Sequence, residues 1–309
     1  MIGIVLLSYG ALQSIDDLQP FYTHIFHGRL PSDVILQEAE RKFRHYQVAD
    51  PLAAVTARQA YSLEKRLQRK AAHQPIAHQP IKVYTAMKHT PPFISETISQ
   101  MISDGVTKII ALPGSPLFSR TGTLFYEQQI KKSIQTSCQE IPLTLISRWH
   151  LHAGLIQALA WRLQTALNWL SHANRAAAAV IFTAHSQPGL PHANQEYVTA
   201  FHELAAAIAA KLGLTNWKTA YRSATPGQKW LEPDVKHVIN SAMLEGSTAV
   251  VICDLLSMTE NIEALFDCRV ESGKYAAELG LEFAAAEFLN DSDDYMDVLE
   301  DIVAQHLKP

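Results

Sequence analysis

Eight short apolar runs recur along the chain, and longer stretches with helical periodicity separate them. The runs cover residues 2–7, 82–86, 108–112, 143–146, 179–182, 218–221, 248–252 and 282–286. A short apolar run between turn signals is typical of a buried parallel strand, because helices cover both faces of such a sheet. Strands that alternate with helices indicate βαβ units. The pattern therefore predicts an α/β protein with mainly parallel sheets flanked by helices.

The eight runs form two series of four with a similar layout. In each series one strand ends at a reactive polar side chain and another at a basic pair or near-pair, namely Tyr9 and Lys88-His89 in the first and His185 and Arg222-Ser223 in the second. A chain of 309 residues, of which 48% are hydrophobic, is long enough to build two cores. We expect two related domains, residues 1–148 and 149–309, which face each other across a central cleft.

The fifth predicted strand stops abruptly at His185, within the segment AVIFTAHSQP at residues 179–188. In open α/β sheets, ligands bind just beyond the carboxyl ends of the strands. We therefore expect His185 to point into the ligand-binding cleft. The alternative is a strand-end histidine whose ring is satisfied by backbone hydrogen bonds and has no chemical role.

A second chemical signal is the acidic segment SMTENIEALFDCRVE at residues 257–271. Ser257 and Glu260 have the spacing of a capping box, which predicts that a helix begins there. At helical periodicity Glu260, Glu263, Asp267 and Glu271 fall within an arc of about 80°. Such a line of acids is often a solvated helix face, but solvated faces usually alternate acids with lysine or arginine. We interpret the line as part of a functional site.

Composition and motifs narrow the chemistry. The formal net charge of −4 argues against a nucleic acid or an anionic membrane as the main partner. The sequence has no P-loop, no GxSxG elbow and no GxGxxG turn after its first strand. A histidine together with carboxylates suits a divalent metal such as iron or zinc. Three widely spaced cysteines and the absence of a basic leader favour a reducing cytoplasm.

Two further segments lie between the first and second strands. A long helical insert, roughly residues 14–70, carries basic side chains that could pair with substrate carboxylates, or could simply form a solvated face. Residues 72–81 are a tandem copy of AHQPI. Proline excludes a helix interior, so this repeat is predicted to be a surface connector, and its histidines are best explained by the duplication.

Several motifs, in order along nearly the whole chain, resemble those of ferrochelatases. They are LLSYG at 6–10, YTHI at 22–25 with Gly28-Arg29, MKHTPPF at 87–93, TAHSQP at 183–188, WLEPD at 230–234 and NIEALFD at 261–267. The short chain, without clustered cysteines, is similar to the soluble bacterial members that metallate coproporphyrin III. This resemblance implies two similar Rossmann-like, chelatase-type domains and the insertion of Fe²⁺ into a porphyrin during heme biosynthesis.

The resemblance also implies roles for individual residues. His185 and Glu263 correspond to the catalytic pair, and His185, Glu263, Asp267 and Glu271 are expected to handle the metal. The positions that contact or surround the porphyrin are Tyr9, Arg29, Lys42, Asp50, Lys88 and Tyr126. We expect no tightly bound cofactor, Fe²⁺ as a substrate, a monomer and a cytoplasmic location. A carrier that binds tetrapyrrole or metal without turnover, and a chelatase for another metal or tetrapyrrole, remain as alternatives.

The chain departs from the family pattern at three places. Asn261 stands where histidine is usual, two residues before the glutamate. The usual Gly-Gly-x-Ser-Pro-Leu loop reads QVADPL at 47–52, so that Asp50 replaces a serine. Two arginines that are common in the bacterial branch are replaced by Phe26 and His27. These changes bear on recognition of the porphyrin carboxylates in particular.

Overall fold

The computed structural model describes residues 1–73, 79–224 and 229–307. Its eight strands form two four-stranded sheets that are parallel throughout. The strands are β1 Ile2–Ser8, β2 Ile81–Met87, β3 Lys108–Pro113, β4 Leu143–Leu145, β5 Ala178–His185, β6 Trp217–Arg222, β7 Ala249–Asp254 and β8 Glu282–Ala285. Each of the eight predicted strands is confirmed. The order in the first sheet is β2-β1-β3-β4 and in the second β6-β5-β7-β8, so both sheets have the same topology.

Helices follow the strands as the α/β pattern predicts. In chain order they are α1 Leu18–Ile25, α2 Asp33–Tyr46, α3 Pro51–His73, α4 Ile94–Ser103, α5 Phe125–Thr136, α6 Ala153–Trp169, α7 His172–Arg175, α8 Gln195–Leu212, α9 Val235–Leu244, α10 Ile262–Leu265, α11 Ser272–Glu278 and α12 Asp293–Gln305. Short 3-10 segments cover Ile15–Asp17 and Pro191–Asn194, and π-helical segments cover Arg120–Leu124 and Phe266–Glu271. Helices α1 to α3 make up the predicted helical insert.

The chain divides into two compact units. The first contains residues 1–114, 118–149 and 290–309, and the second contains residues 115–117 and 150–289. The predicted boundary after residue 148 lies next to the change of unit at Trp149. The prediction placed the C-terminal segment in the second domain, but this segment packs with the first unit. Helix α12 packs on α3, where Arg58 forms an ion pair with Asp291 at 2.6 Å.

The first unit has its core around the central strand β1. Val5 and Leu7 of this strand are buried with Ile109 of β3, and Ile98 of α4 and Ile130 of α5 close the same cluster. Because β1 has neighbours on both edges and helices on its faces, its sequence is apolar almost without interruption. Burial of the sheet leaves the polar residue Tyr9 immediately beyond its carboxyl end, where it is exposed.

In the second unit the same arrangement surrounds β5 and β7. Ile181 and Ile252 of these two strands are buried with Ile239 of α9 and Ala276 of α11. The carboxyl ends of the three neighbouring strands β6, β5 and β7 meet at one edge of this sheet. This topology brings together three polar strand ends, Arg222, His185 and Asp254.

Within the described part of the chain, no helix combines the length and the apolar character needed to cross a lipid bilayer. The predicted connector at 72–81 lies only partly within the described residues. Its first two residues, 72 and 73, end α3, and residues 74–78 lie outside the described residues.

Candidate active site

His185 is the last residue of β5, and the structure fixes its backbone and its ring. Tyr197 donates a hydrogen bond from Oη to the His185 carbonyl at 2.7 Å. The ring Nδ1 lies 2.6 Å from the carbonyl oxygen of Ser186. A carbonyl oxygen can only accept, so Nδ1 carries the proton, and in the neutral ring Nε2 keeps its lone pair. The side chain is 29% exposed. The free ring nitrogen is therefore suited to accept a proton or to bind a metal.

Glu263 supplies the carboxylate next to this nitrogen. Its Oε2 lies 3.5 Å from His185 Nε2, and its side chain is 41% exposed. The helix that carries it, α10, begins after Asn261, whose Oδ1 accepts the Ala264 N–H at 2.9 Å. The predicted helix start at Ser257 is therefore wrong, because the extended backbone of Asn261 and its side-chain cap place the first turn four residues later.

A buried ion pair that is not among the predicted site residues lies next to the histidine and the glutamate. Arg222 donates from Nε to Asp254 Oδ2 at 2.8 Å and from Nη2 to Ser257 Oγ at 2.9 Å. Its Nη1 lies 3.7 Å from Glu263 Oε2. Thr183 also donates to Asp254 Oδ2, at 3.1 Å. One signal in the sequence could have found Asp254, because it is an acid that ends an apolar strand beside the strand of His185.

The remaining acids of the predicted line have other partners. Glu260 precedes α10 and is not on the helix. Asp267 is buried and accepts a hydrogen bond from Ser223 Oγ, and Glu271 lies 3.9 Å from Lys236 Nζ. Burial of Asp267 argues against a fully solvated acidic face.

The described residues include no group of three or more histidine, cysteine, aspartate or glutamate side chains arranged to hold a metal ion. The structure therefore brings His185 and Glu263 together as a two-residue set. Asp267 and Glu271 do not join them in one cluster, and their role in metal handling stays a prediction.

In the first unit, Tyr9 and Lys88 lie close together, as expected for neighbouring strand ends. Lys88 donates from Nζ to the Thr121 carbonyl at 2.7 Å. Its Nζ also lies 4.2 Å from the ring centre of Phe125 and 5.7 Å from that of Tyr9. Burial lowers the pKa of Lys88 to about 8. The ammonium group is therefore a poorly hydrated cation beside two aromatic rings, a setting that suits an anionic aromatic ligand.

His89 packs next to Tyr9 and is not among the predicted site residues. Its ring centre is 4.6 Å from that of Tyr9, and its Nδ1 lies 2.9 Å from Nδ1 of His24. Burial, reinforced by the Lys88 charge, lowers the pKa of His89 to about 3, so that this ring is neutral. His89, which His24 contacts in turn, therefore packs against the Tyr9 side chain as an uncharged ring.

The other predicted porphyrin residues have varied surroundings. Tyr126 is buried in the core of the first unit, and burial raises its pKa. Asp50 is buried at the start of α3, where Oδ1 accepts the Leu52 N–H at 3.0 Å. Lys42 Nζ lies 3.9 Å from a carboxylate oxygen of Glu38. Arg29 is exposed. The assignment of these residues to porphyrin binding stays a prediction.

Comparison with known proteins gives a consistent result over the full chain. A protein-family model described as Ferrochelatase matches residues 1–307. A "Ferrochelatase" of Thermus thermophilus is 30% identical, over 97% of this chain and 98% of its own. A "Coproporphyrin III ferrochelatase" of a Geobacillus species is 28% identical, over 99% of this chain and 98% of its own.

Solved structures provide an independent view of the fold. SirB from Bacillus subtilis, with Fe³⁺, matches with a TM-score of 0.58 at 11% identity, over 98% of this chain and 94% of its own. DR2241 from Deinococcus radiodurans, described as similar in structure to chelatases, has a TM-score of 0.53 at 11% identity and covers 98% of this chain and 54% of its own. At such low identity these likenesses establish a two-domain chelatase fold and nothing more specific.

Proposed function

Since the chain belongs to the ferrochelatase family, and is thereby a metal chelatase of heme biosynthesis, we propose that its metal substrate is Fe²⁺ and its preferred acceptor coproporphyrin III. Two relatives of the chain bear names that state this family activity, and one of these names specifies coproporphyrin III. The proposal assigns the chemistry to His185 and Glu263.

The observation that carries this assignment is the separation of His185 Nε2 and Glu263 Oε2, which is 3.5 Å. Metal–nitrogen and metal–oxygen bonds of about 2.0–2.2 Å to both atoms would then enclose an angle close to tetrahedral. Resident structural metals usually have four protein ligands, and catalytic zinc has three. Two protein ligands suit an ion that is held briefly and then passed on. We accordingly propose that the protein has no tightly bound cofactor and that the metal is a substrate.

Proton balance gives His185 its second role. A porphyrin gives up two pyrrole protons when it binds a divalent ion. When it does not hold the ion, the Nε2 lone pair of His185 can accept these two protons one after the other, because Nδ1–H is held by the Ser186 carbonyl and the ring is in the right tautomer. Each proton can then pass from the ring to solvent, because the His185 side chain is 29% exposed. The Glu263 carboxylate replaces part of the hydration shell of the ion.

Porphyrin binding is assigned to side chains of the first unit. Coproporphyrin III carries four carboxylates and protoporphyrin IX carries two. Cationic side chains should therefore contribute more to the binding of coproporphyrin III. Lys88, between the rings of Phe125 and Tyr9, offers both a charge and apolar surface. Arg29 and Lys42 are further candidates, and the exposed ring of Tyr9 would contact the macrocycle, whereas the buried Tyr126 would support the porphyrin site from the core. Asp50 helps instead by holding the start of α3.

The experiment is anaerobic incubation of the protein with Fe²⁺ and either porphyrin, followed by absorption spectroscopy. We expect the metallated spectrum to appear with coproporphyrin III at a kcat/KM at least tenfold higher than with protoporphyrin IX. Equal rates would remove the substrate preference. A spectral shift on binding without metallation of either porphyrin would support a carrier, and metallation by Co²⁺ or Zn²⁺ alone would indicate a chelatase for another metal.

We also propose that the protein acts as a monomer in the reducing cytoplasm. The three cysteines are unpaired, and Cys253 and Cys268 are buried thiols whose pKa is raised by burial. Sedimentation of the purified protein tests the oligomeric state, and a dimer would contradict the monomer. Fractionation of cells that produce the protein tests the location, and recovery outside the cytoplasmic fraction would contradict it.

A further inference from the structure

The Glu263 carboxylate has a positively charged neighbour besides His185. Its Oε2 lies 3.5 Å from His185 Nε2 and 3.7 Å from Arg222 Nη1, so that both side chains approach the same oxygen. The guanidinium of Arg222 is buried, with 4% of its side chain exposed. Arginine stays protonated at any ordinary pH. A divalent cation on this oxygen would therefore lie next to a permanent, poorly screened positive charge.

Asp254 offsets this charge from the other side. Its side chain is 2% exposed, and Oδ2 accepts the Arg222 Nε–H at 2.8 Å. The second oxygen, Oδ1, accepts the backbone N–H groups of Leu256 and Ser257 at 3.2 and 2.7 Å. The carboxylate is fully satisfied, which a buried ion pair requires for stability. Because Arg222 contacts both carboxylates, its guanidinium lies between Asp254 and Glu263.

We propose that Arg222 and Asp254 set the affinity of the His185–Glu263 pair for the incoming divalent cation. Arg222 is a positioning residue that holds Glu263 Oε2 toward His185 and weakens the hold of this pair on the ion. Asp254 limits that weakening. The inference rests on the function proposed above, because a chelatase must capture the ion and then release it to the porphyrin, and a site that binds too tightly would retain it.

Coulomb's law gives the sign and the approximate size of the effect. An ion bound to Glu263 Oε2 would lie about 5 Å from the guanidinium, where charges interact appreciably even at a high effective dielectric constant. Loss of the Arg222 charge should therefore tighten metal binding by roughly tenfold or more, since even the dielectric constant of water leaves a repulsion of that size between a doubly charged ion and the guanidinium. Loss of the Asp254 charge should weaken it by a smaller factor, because Asp254 lies farther from Glu263. The two changes shift the affinity in opposite directions, whereas general damage to the site would weaken binding in both.

The test measures Zn²⁺ binding to the purified protein without porphyrin, by competition with a chromophoric chelator. We expect the dissociation constant to fall in Arg222→Gln, to rise in Asp254→Asn and to stay within about twofold of wild type in Arg222→Lys. The double variant, Arg222→Gln with Asp254→Asn, keeps a neutral hydrogen-bonded pair. Its dissociation constant should lie between those of Arg222→Gln and wild type. Lys218→Gln is the matched control, since Lys218 lies on the same strand but pairs with Glu245.

Melting temperatures show which variants are folded, and the double variant replaces Arg222→Gln if the latter does not fold. Weaker Zn²⁺ binding in Arg222→Gln or in the double variant would overturn the proposal. An unchanged dissociation constant in all four variants of Arg222 and Asp254 would overturn it as well. In metallation assays, Arg222→Gln should lower both the KM for the metal and kcat. If wild type metallates no porphyrin while the ordered shifts in Zn²⁺ affinity are seen, the proposed function fails and the charge effect stands.

Discussion

The side-chain Oδ1 of Asn261 accepts the backbone N–H of Ala264 at 2.9 Å and thereby starts the helix that carries Glu263. Asparagine is among the best residues at this position, and alanine among the poorest. Asn261 therefore has a clear structural task here. It determines where the first turn begins and hence where the Glu263 carboxylate lies.

Replacement of Asn261 should reveal this task. Asn261→Ala is expected to lower the free energy of unfolding by about 1 kcal/mol, the usual cost of a lost helix cap, and to slow metallation because Glu263 loses its fixed position. Asn261→Asp and Asn261→Ser keep a capping oxygen and should retain stability. Urea unfolding and turnover of the same preparations provide the measurement. Equal stability of the alanine and serine variants would contradict a capping role.

Loss of the His185 ring should remove most of the activity while the fold survives. General acid–base groups contribute about 10²- to 10⁴-fold in rate, so His185→Ala should lose metallation in that range and keep porphyrin affinity. Porphyrin fluorescence quenching measures the binding, and absorption measures the turnover. His237→Ala, at an exposed histidine of the same unit, is the control and should behave as wild type. A stable His185→Ala protein with normal turnover would refute the mechanism.

The two acids beyond Glu263 should act on the metal and not on the porphyrin. Asp267→Asn combined with Glu271→Gln is expected to raise the Fe²⁺ concentration for half-maximal rate several-fold, because two carboxylates that attract the ion are lost. Porphyrin affinity should not change. Glu278→Gln, at an exposed acid on α11, provides the comparison. Unchanged metal dependence in the double variant would limit Asp267 to its hydrogen bond with Ser223.

Porphyrin binding should depend on pH through Lys88. Its pKa of about 8 means that the ammonium is charged below pH 8 and neutral above it. Because only the charged form attracts porphyrin carboxylates, affinity should be highest below pH 8 and fall as the pH rises through that value. Lys88→Met should bind more weakly and lose this decline, whereas Lys131→Met, at an exposed lysine, should keep it. Fluorescence titrations between pH 6 and 10 test the prediction, and a decline that persists in Lys88→Met would assign it to another group.

Attachment of α12 to the first unit should depend on ion pairs. Arg66 of α3 pairs with Asp293 at 2.7 Å, with Asp297, and with Glu300 at 3.7 Å. Two of these acids are largely exposed, so Arg66→Ala should cost only about 1 kcal/mol, and less at high salt. Urea unfolding at low and high NaCl measures this. Arg41→Ala, which removes a pair within one exposed helix, should cost less. A loss that is the same at both salt concentrations would mean that packing of the arginine stem dominates.

The strands could be predicted from the sequence because burial on both faces leaves a local signature. The central strand β5, for example, is buried from Ala178 to Ala184, and its apolar run is visible without any knowledge of its neighbours. A polar residue that ends such a run, as His185 does, is equally visible. The repeated order of strands and helices was enough to predict two similar parallel sheets. Family resemblance then singled out Glu263, which periodicity alone could not separate from the other acids.

Only the tertiary structure showed which side chains meet. Arg222 and Asp254 are 32 residues apart and pair because β6 and β7 flank β5 in the sheet. Asp267 likewise accepts a hydrogen bond from Ser223, which lies 44 residues away in the sequence. Such contacts depend on sheet order and on which helix face is covered, and no local pattern encodes them. The position of α12 in the first unit also depends on tertiary contacts, because an amphipathic helix can pack on any exposed apolar face. Here α3 supplies both that face and the matching charges.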